Sequence, residues 1–407
     1  MRRTPARALA RERIRSLNQS AVINAIHRNG RISRTDLAAE LNLSPAAITS
    51  ITSDLIAAGL VVEVEVGESS TVGRKPILLG IDYDYAHALG MKVMNHAVVA
   101  SLTNLNAEVK RVHTVPLPDT RVETVVGAVR AAAAALTRAE GLPEERVAGL
   151  CVSLPGVVDL EAGEVRHSEL LGWHAVPLAR LLGAELAMPA LVENDVNALA
   201  AAHAWFGHGR EHSSFLVVTL GRGVGLGIVI GGSVYRGPRG GAGELGHTRA
   251  KPARTRVMRP EGTTLEELVC DAALLRQARA AVPGFAEDMG PDDLTRLAAA
   301  GDEAALGLLA DAGACLGAAL ADLVNLFAPT LIVLGGEGMR NAPYLLPSAE
   351  EELHRHVFGG LAEGLELVID TWGDDAWARG AAGLAAARFL AEAAVPIGGA
   401  RGQRAGD

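Results

Sequence analysis

Cysteine is scarce in this chain, long apolar runs are missing and positive charge is in deficit, and each shortage removes a class of protein. The three cysteines, Cys151, Cys270 and Cys315, lie far apart with no metal-type spacing. They give no disulfide framework, suit a reducing compartment, and read as small core hydrophobes. Arg2-Arg3 opens like a twin-arginine export signal, but residues 4–20 hold no apolar segment behind it. No stretch reaches the roughly eighteen uninterrupted apolar residues of a membrane span. The expectation is a cytoplasmic protein with no membrane partner. The formal net charge of −9 would argue against nucleic acid if it were evenly spread, because phosphate binding needs local cations. It is uneven: residues 1–36 carry nine arginines against Glu12 and Asp36. Alone, that run is a solvated tail; beside a helix-turn-helix pattern it points to DNA.

What is present divides into four parts. Residues 1–12 read as a basic tail, 13–81 as a DNA-reading module, 86–392 as an α/β body and 396–407 as a disordered tail. In the module, Val22, Ile23 and Ile26 form a helical apolar stripe that stops at Asn29-Gly30. Ser33 opens a second helix with Asp36 at capping-box spacing, and Leu37 and Leu41 face inward. Ser44-Pro45 opens a third, buried through Ile48, Ile51 and Leu55 and ended by Gly59. Its other face carries Ala46, Ala47, Thr49, Ser50 and Ser53, small or hydroxylated residues that admit base edges and phosphates, as a recognition helix requires. Residues 61–66 alternate as a strand, 67–73 turn, and Ile77 to Leu79 return, which makes a β wing. Arg74 and Lys75 at the wing, with Arg34, Ser44, Pro45, Ala46, Ala47, Thr49 and Ser50, form the expected DNA-contact set. A three-helix bundle used only for protein contact is the competing reading.

The body shows two rounds of one plan. Strands at Ala88 to Met94, Ala97 to Leu102 and Val109 to Val115 precede a helix at 122–139 and a buried strand at Val147 to Leu154. Strands at Phe215 to Leu220, Gly225 to Ile230 and Val234-Tyr235 precede helices near 265–281 and 302–327 and the strand Leu331 to Leu334. Duplicated lobes, about 86–195 and 196–392, with a ligand crevice between them are expected.

The glycine spacing from Leu220 through Gly223, Gly225, Gly227, Gly237 and Gly243 to Gly246-His247 resembles the signature of the ROK family of bacterial sugar kinases and sugar-responsive repressors. Glu193-Asn194-Asp195 and the loop Pro155-Gly156-Val157-Val158-Asp159 fit as well, and Ser33-Arg34-Thr35-Asp36-Leu37-Ala38 resembles the repressor branch. The resemblance implies a winged helix-turn-helix followed by a two-lobed, actin-like body of the ribonuclease H-like, sugar-kinase type. It also implies a sugar or sugar-derivative effector. Vicinal hydroxyls both donate and accept, so they call for carboxylates and an amide. Asn194, Asp195, Glu244, His247 and Glu266 supply these, and Gly156 would let backbone approach the ring. Taken singly, Asp195 could cap a helix starting at Val196, Glu244 and Glu266 could be exposed charges, and His247 a satisfied loop histidine.

Asp195 matches the general base of the family's kinases. The matching phosphate loop here reads Lys92-Val93-Met94-Asn95-His96, with a lysine for the metal-linked acid and no glycines; a cation cannot stand beside Mg²⁺ in that acid's place. Gly221-Arg222-Gly223 and Gly335-Gly336 keep glycines whose structural role would be tight turns. No catalytic residue and no kinase activity are therefore expected. The family's structural zinc is expected to be absent too, since residues 251–266 contain no cysteine and such a site needs about four N or S ligands. Lys251, Arg254, Arg256 and Arg259 read as a solvated face, with an anionic effector as the less favoured alternative. The whole is read as a repressor that binds a palindromic DNA operator as a homodimer or dimer of dimers. The rival readings are an ATP-dependent sugar kinase with a fused DNA-binding domain, and a regulator whose body only oligomerises.

Overall fold

The computed structural model describes residues 6–64, 77–250, 262–370 and 372–392, with side chains from residue 17 onward apart from those of Glu144 and Asp374. Helix α1 (Ala6–Asn29) runs back through most of the segment expected as a loose basic tail. Its alanine, arginine, leucine and glutamate are good helix formers, so the chain continues as helix wherever nothing breaks it. After Gly30, β1 (Ile32–Ser33), α2 (Arg34–Glu40), α3 (Pro45–Ala57), β2 (Val61–Val64) and β3 (Leu78–Ile81) complete a winged helix-turn-helix, its three strands ordered β1-β3-β2. Val22, Ile23, Ile26, Leu37, Ile48, Leu55 and Leu79 are fully buried, which bears out the apolar stripes. Arg74 and Lys75 of the expected wing, the basic run 251–259 and the tail 396–407 lie outside the described residues.

The first lobe comprises β4 (His87–Val93), β5 (Ala97–Asn104), β6 (Val109–Pro116), α4 (Val122–Glu140), β7 (Val147–Leu154), β8 (Val157–Asp159), β9 (Glu164–Ser168), β10 (Trp173–Val176), α5 (Leu178–Leu186) and β11 (Ala190–Asn194). Helix α6 (Asp195–Phe206) follows it. The second comprises β12 (Phe215–Leu220), β13 (Val224–Ile230), β14 (Ser233–Val234), α7 (Glu266–Val269), α8 (Asp271–Ala281), α9 (Pro291–Ala299), α10 (Glu303–Phe327), β15 (Leu331–Gly335), α11 (Ala342–His356) and β16 (Glu366–Ile369). Last comes α12 (Asp374–Glu392).

The two large sheets are ordered β6-β5-β4-β7-β11 and β14-β13-β12-β15-β16. In each, three antiparallel strands lead into two parallel ones, so the expected duplication is present strand for strand. Helix α10 is long and apolar enough to cross a membrane by composition alone, but 67% of that stretch is buried in the fold. It lies along α11, with Gly313 and Gly317 against the backbone of Leu345 and Ala349.

The lobe boundary needs one correction. Helix α12 falls in the range assigned to the second lobe, yet it lies on β4, β7 and β5 of the first and along α6. Its buried face is mostly alanine, from Ala376 and Ala378 to Ala385 and Ala386, and small residues let backbones approach closely. Gly90 on β4 sits directly against the Ala378 carbonyl and the Ala382 nitrogen, and Gly380 against the Ala198 carbonyl of α6. One helix therefore joins both halves.

The same helix seats the DNA module, whose core is continuous with Ala381, Ala382 and Leu390. Ser20 donates to the Ala391 carbonyl at 2.6 Å. At the other end of this contact His27 of α1 meets Tyr83 Oη at 2.9 Å through Nδ1 and lies against Trp205 of α6, ring centroids 5.2 Å apart. Burial lowers the His27 pKa below its ordinary 6.5, so the unfolded chain binds the proton more readily. The stabilisation is complete above about pH 6.5 and is lost as pH falls from there through the lower folded value. The melting temperature should therefore drop below pH 6.5 more steeply for the natural chain than for His27→Gln, as a paired thermal melt across pH 5 to 8 would read.

Candidate functional site

The recognition helix is built as its sequence dictates. The Ser44 hydroxyl accepts from the Ala47 N–H at 3.2 Å, Pro45 occupies the first turn, and Ile48, Ile51 and Leu55 turn inward. Ser44, Pro45, Ala46, Thr49, Ser50 and Ser53 are exposed and Ala47 is half-buried, which leaves a low, hydroxyl-bearing surface. Ser33 and Asp36 cap α2 as expected, the Asp36 N–H reaching Ser33 Oγ at 3.1 Å. Arg34 departs from expectation. Its guanidinium binds Glu63 at 2.7 Å and Thr52 Oγ1 at 3.2 Å, so it braces α2 against α3 and the wing strand and is not held out toward phosphate.

In the body, the Glu193-Asn194-Asp195 turn is where β11 becomes α6. Asn194, not Asp195, caps the helix: its Oδ1 accepts from the Asn197 N–H at 3.0 Å while its Nδ2 donates to the Gly156 carbonyl at 3.0 Å. One lone pair and one N–H of that amide are left for a ligand. Asp195 is the first helical residue, and its Oδ1 accepts the Val196 N–H at 3.0 Å. Burial raises its pKa, and the nearby Lys92 charge opposes the rise. Lys92 is itself buried, its ammonium 4.1 Å over the Trp377 ring.

Gly156 has a packing role beside the one expected for it. Its φ is +127°, and a Cβ there would strike the His167 carbonyl. The glycine is demanded by close packing of the 155–157 turn on β9, and what it offers the site is the carbonyl that orients Asn194.

Glu193 supports this turn in a way that the motif alone did not reveal. It is fully buried and accepts from Arg236 Nε at 2.6 Å, Asn194 N–H at 2.9 Å and Asn197 Nδ2 at 3.1 Å. Arg236 is remote in sequence, so no local signal marks the pair. Arg236→Ala should cost about 3 kcal/mol in urea denaturation by stranding a buried carboxylate, and adding Glu193→Gln should recover part of that loss.

The other expected residues gather on β13. Val196 of α6 packs on Gly225, and the Leu226 N–H donates to the Gly243 carbonyl at 3.2 Å. The segment 243–247 thus hangs from the strand that the first turn of α6 touches. Glu244 and His247 are exposed, Oε2 to Nε2 3.8 Å. Glu266 is half-buried and accepts the Val224 N–H at 2.8 Å, between Gly223 and Gly246. It is a brace for this strand through Oε2. The charge-exposed alternative for Glu266 is overturned, because its carboxylate is needed by an otherwise unpaired strand end.

On the phosphate side, β4 turns into β5 through Asn95-His96, closed by the Met94 N–H to the Ala97 carbonyl at 2.9 Å. Arg222, at the turn between β12 and β13, crosses from the second lobe to Asn95 Oδ1 and lies 3.5 Å from His96 Nδ1. The Arg222 side chain thus links the β12–β13 turn to the β4–β5 turn. Gly336 has a φ of +88° and packs on the Leu220 carbonyl, as a tight turn would.

A winged helix-turn-helix on a duplicated, actin-like body of the sugar-kinase type is the class that this fold defines. The chain belongs to the ROK family, whose model matches residues 88–388, and a winged helix-turn-helix DNA-binding model matches residues 15–62. It is 29% identical over 364 residues to the DNA-binding transcriptional dual regulator NagC of Escherichia coli K12, covering 87% of this chain and 89% of that one. It superposes on a crystal structure of a ROK family transcriptional regulator, a homologue of the E. coli Mlc protein, with TM-score 0.80, 28% identity and coverage of 93% and 97%. A ROK family glucokinase from Streptomyces griseus, solved with glucose and AMPPNP, matches with TM-score 0.61 and 26% identity over 74% of this chain and 99% of its own.

Proposed function

We propose that this protein is a sugar-responsive transcriptional repressor that releases its operator when a sugar or sugar derivative binds at the start of α6. The observation that carries the reading is the reach of that one helix. Asn194 and Asp195 stand at its first turn, and Trp205 near its end lies against His27 of the DNA module. A ligand that repositions the first turn moves a rigid rod whose far end touches α1. Asn194, Asp195, Glu244, His247 and Glu266 receive the hydroxyls, and Ser44, Pro45, Ala46, Ala47, Thr49 and Ser50, with Arg74 and Lys75 of the wing, contact DNA. Sugar acts only by binding the released arrangement more tightly, and a near-complete switch needs about 10⁴-fold preference.

In this reading the body has no kinase activity. Lys92 stands where a metal-linked acid is required, and Arg222 lies across the phosphate side of the cleft. No zinc is bound at His247, and a second copy of the chain presents the matching recognition helix to the other half-site, roughly 34 Å away. The test is a melting-temperature panel of aldohexoses, pentoses, N-acetylhexosamines and their phosphates, run beside a coupled ADP assay. One sugar class should raise the melting temperature, as a ligand specific to the native state must, with no ADP formed above background. ADP formation would favour the kinase reading, and a panel with no shift would favour a body that only oligomerises.

A further inference from the structure

The small sheet β8-β9-β10, which the sequence reading did not anticipate, carries a feature that neither DNA nor sugar binding uses. His167 on β9 and His174 on β10 are directly paired across the antiparallel ladder. Both side chains are exposed, their ring centroids are 4.6 Å apart, and the two Nδ1 atoms are 3.3 Å apart. Two nitrogens that each bind one ion at about 2.0–2.1 Å in tetrahedral geometry are separated by about 3.3–3.4 Å. The cross-strand spacing therefore already matches a shared chelate edge, and the ladder fixes it without a flexible loop.

We propose that His167 and His174 form a bidentate site for a divalent transition-metal ion of the imidazole-preferring class, Zn²⁺, Ni²⁺ or Cu²⁺. Among the described residues no third histidine, cysteine or carboxylate completes a cluster there. The remaining positions are filled by water, so the site is open and exchangeable, unlike a closed structural zinc. It is also separate from His247, where the family resemblance would place zinc. The pair is close to the effector cleft, because the His167 carbonyl lies against Gly156, whose own carbonyl orients Asn194. A bound ion would tie β9 to β10 behind that wall.

The experiment uses the full chain and the metals alone. Cu²⁺ is titrated into the natural protein, His167→Ala, His174→Ala and the double variant, with nitrogen hyperfine couplings read by electron paramagnetic resonance and Zn²⁺ affinity by calorimetry. The natural chain should bind one equivalent more than the double variant, with two imidazole nitrogens on Cu²⁺. Either single variant should lose at least tenfold in affinity, and unchanged melting temperatures without metal would confirm that exposed side chains were removed from an intact fold. Equal stoichiometry and affinity in all four proteins, or a Cu²⁺ signal that keeps two imidazoles in the double variant, would overturn the site. Sugar and operator binding by the metal-free protein are read separately, so a failure here leaves the repressor reading standing.

Discussion

Replacing Asp195 by asparagine is expected to weaken effector binding about ten- to a hundredfold while leaving operator binding without sugar nearly unchanged. The substitution keeps the shape and the first-turn position but removes a charged acceptor, and hydrogen bonds to charged groups are worth about 1.5–3 kcal/mol. The carboxylate is well placed for this role. It stands at the first turn of α6, its own backbone bond uses one lone pair of Oδ1, and Lys92 is its nearby counter-charge. Burial raises its pKa above the ordinary 3.8, so sugar affinity in the natural protein should begin to fall, as pH is lowered, at a higher pH than an exposed aspartate would give. The variant should lack that dependence. Calorimetric titration with the effector found in the panel reads both effects, and equal affinity in the two proteins would remove Asp195 from the site.

Gly90→Val should cost about 3 kcal/mol or more of stability and weaken operator binding as well. The reason is backbone against backbone: the missing side chain at Gly90 is the space into which the Ala378 carbonyl and Ala382 nitrogen of α12 fit. Overpacking against side chains costs about 1–3 kcal/mol because they can shift, whereas a helix laid on a strand can move only as a unit. That unit also supports α1, so displacing it disturbs the seat of the DNA module. Gly127, in the middle of α4 with open space around its missing Cβ, is the matched control. Gly127→Ala should stabilise by about 0.5–1 kcal/mol through helix propensity. Urea denaturation of the two variants reads the contrast; similar midpoints would contradict the packing assigned to α12.

Much of the fold was legible where a single physical pattern dominates. The run Val147–Leu154, apolar but for Ser153, reads as a strand buried on both faces, and Ser44-Pro45 before Ile48, Ile51 and Leu55 marks a capped, one-sided helix. The three-stranded sheet β8-β9-β10 was not legible, because its strands are three to five residues long and carry the polar residues Glu164, Arg166, His167 and His174, none of them buried. Helix α12 is alanine-rich on nearly every side, so its sequence gives no direction in which to pack. Its place on the first lobe follows from Gly90, almost three hundred residues earlier. For the site, the glycine signature pointed to Asn194, Asp195, Glu244, His247 and Glu266 as candidates, and Glu244, His247 and Glu266 lie on segments tied to β13, which packs on α6. It could not show that Glu193 is buried on Arg236, that Arg34 is engaged with Glu63, or that Gly156 answers to β9, because each depends on a partner remote in sequence.

The central claim is that sugar at one end of α6 loosens the grip of the DNA module held at its other end. The direct measurement takes a duplex obtained by in vitro selection with the full chain and reads its affinity by fluorescence anisotropy at fixed salt, with and without saturating effector. At least a hundredfold weaker binding with sugar is predicted. An unchanged affinity, in a sample where calorimetry shows the sugar bound, would contradict the account.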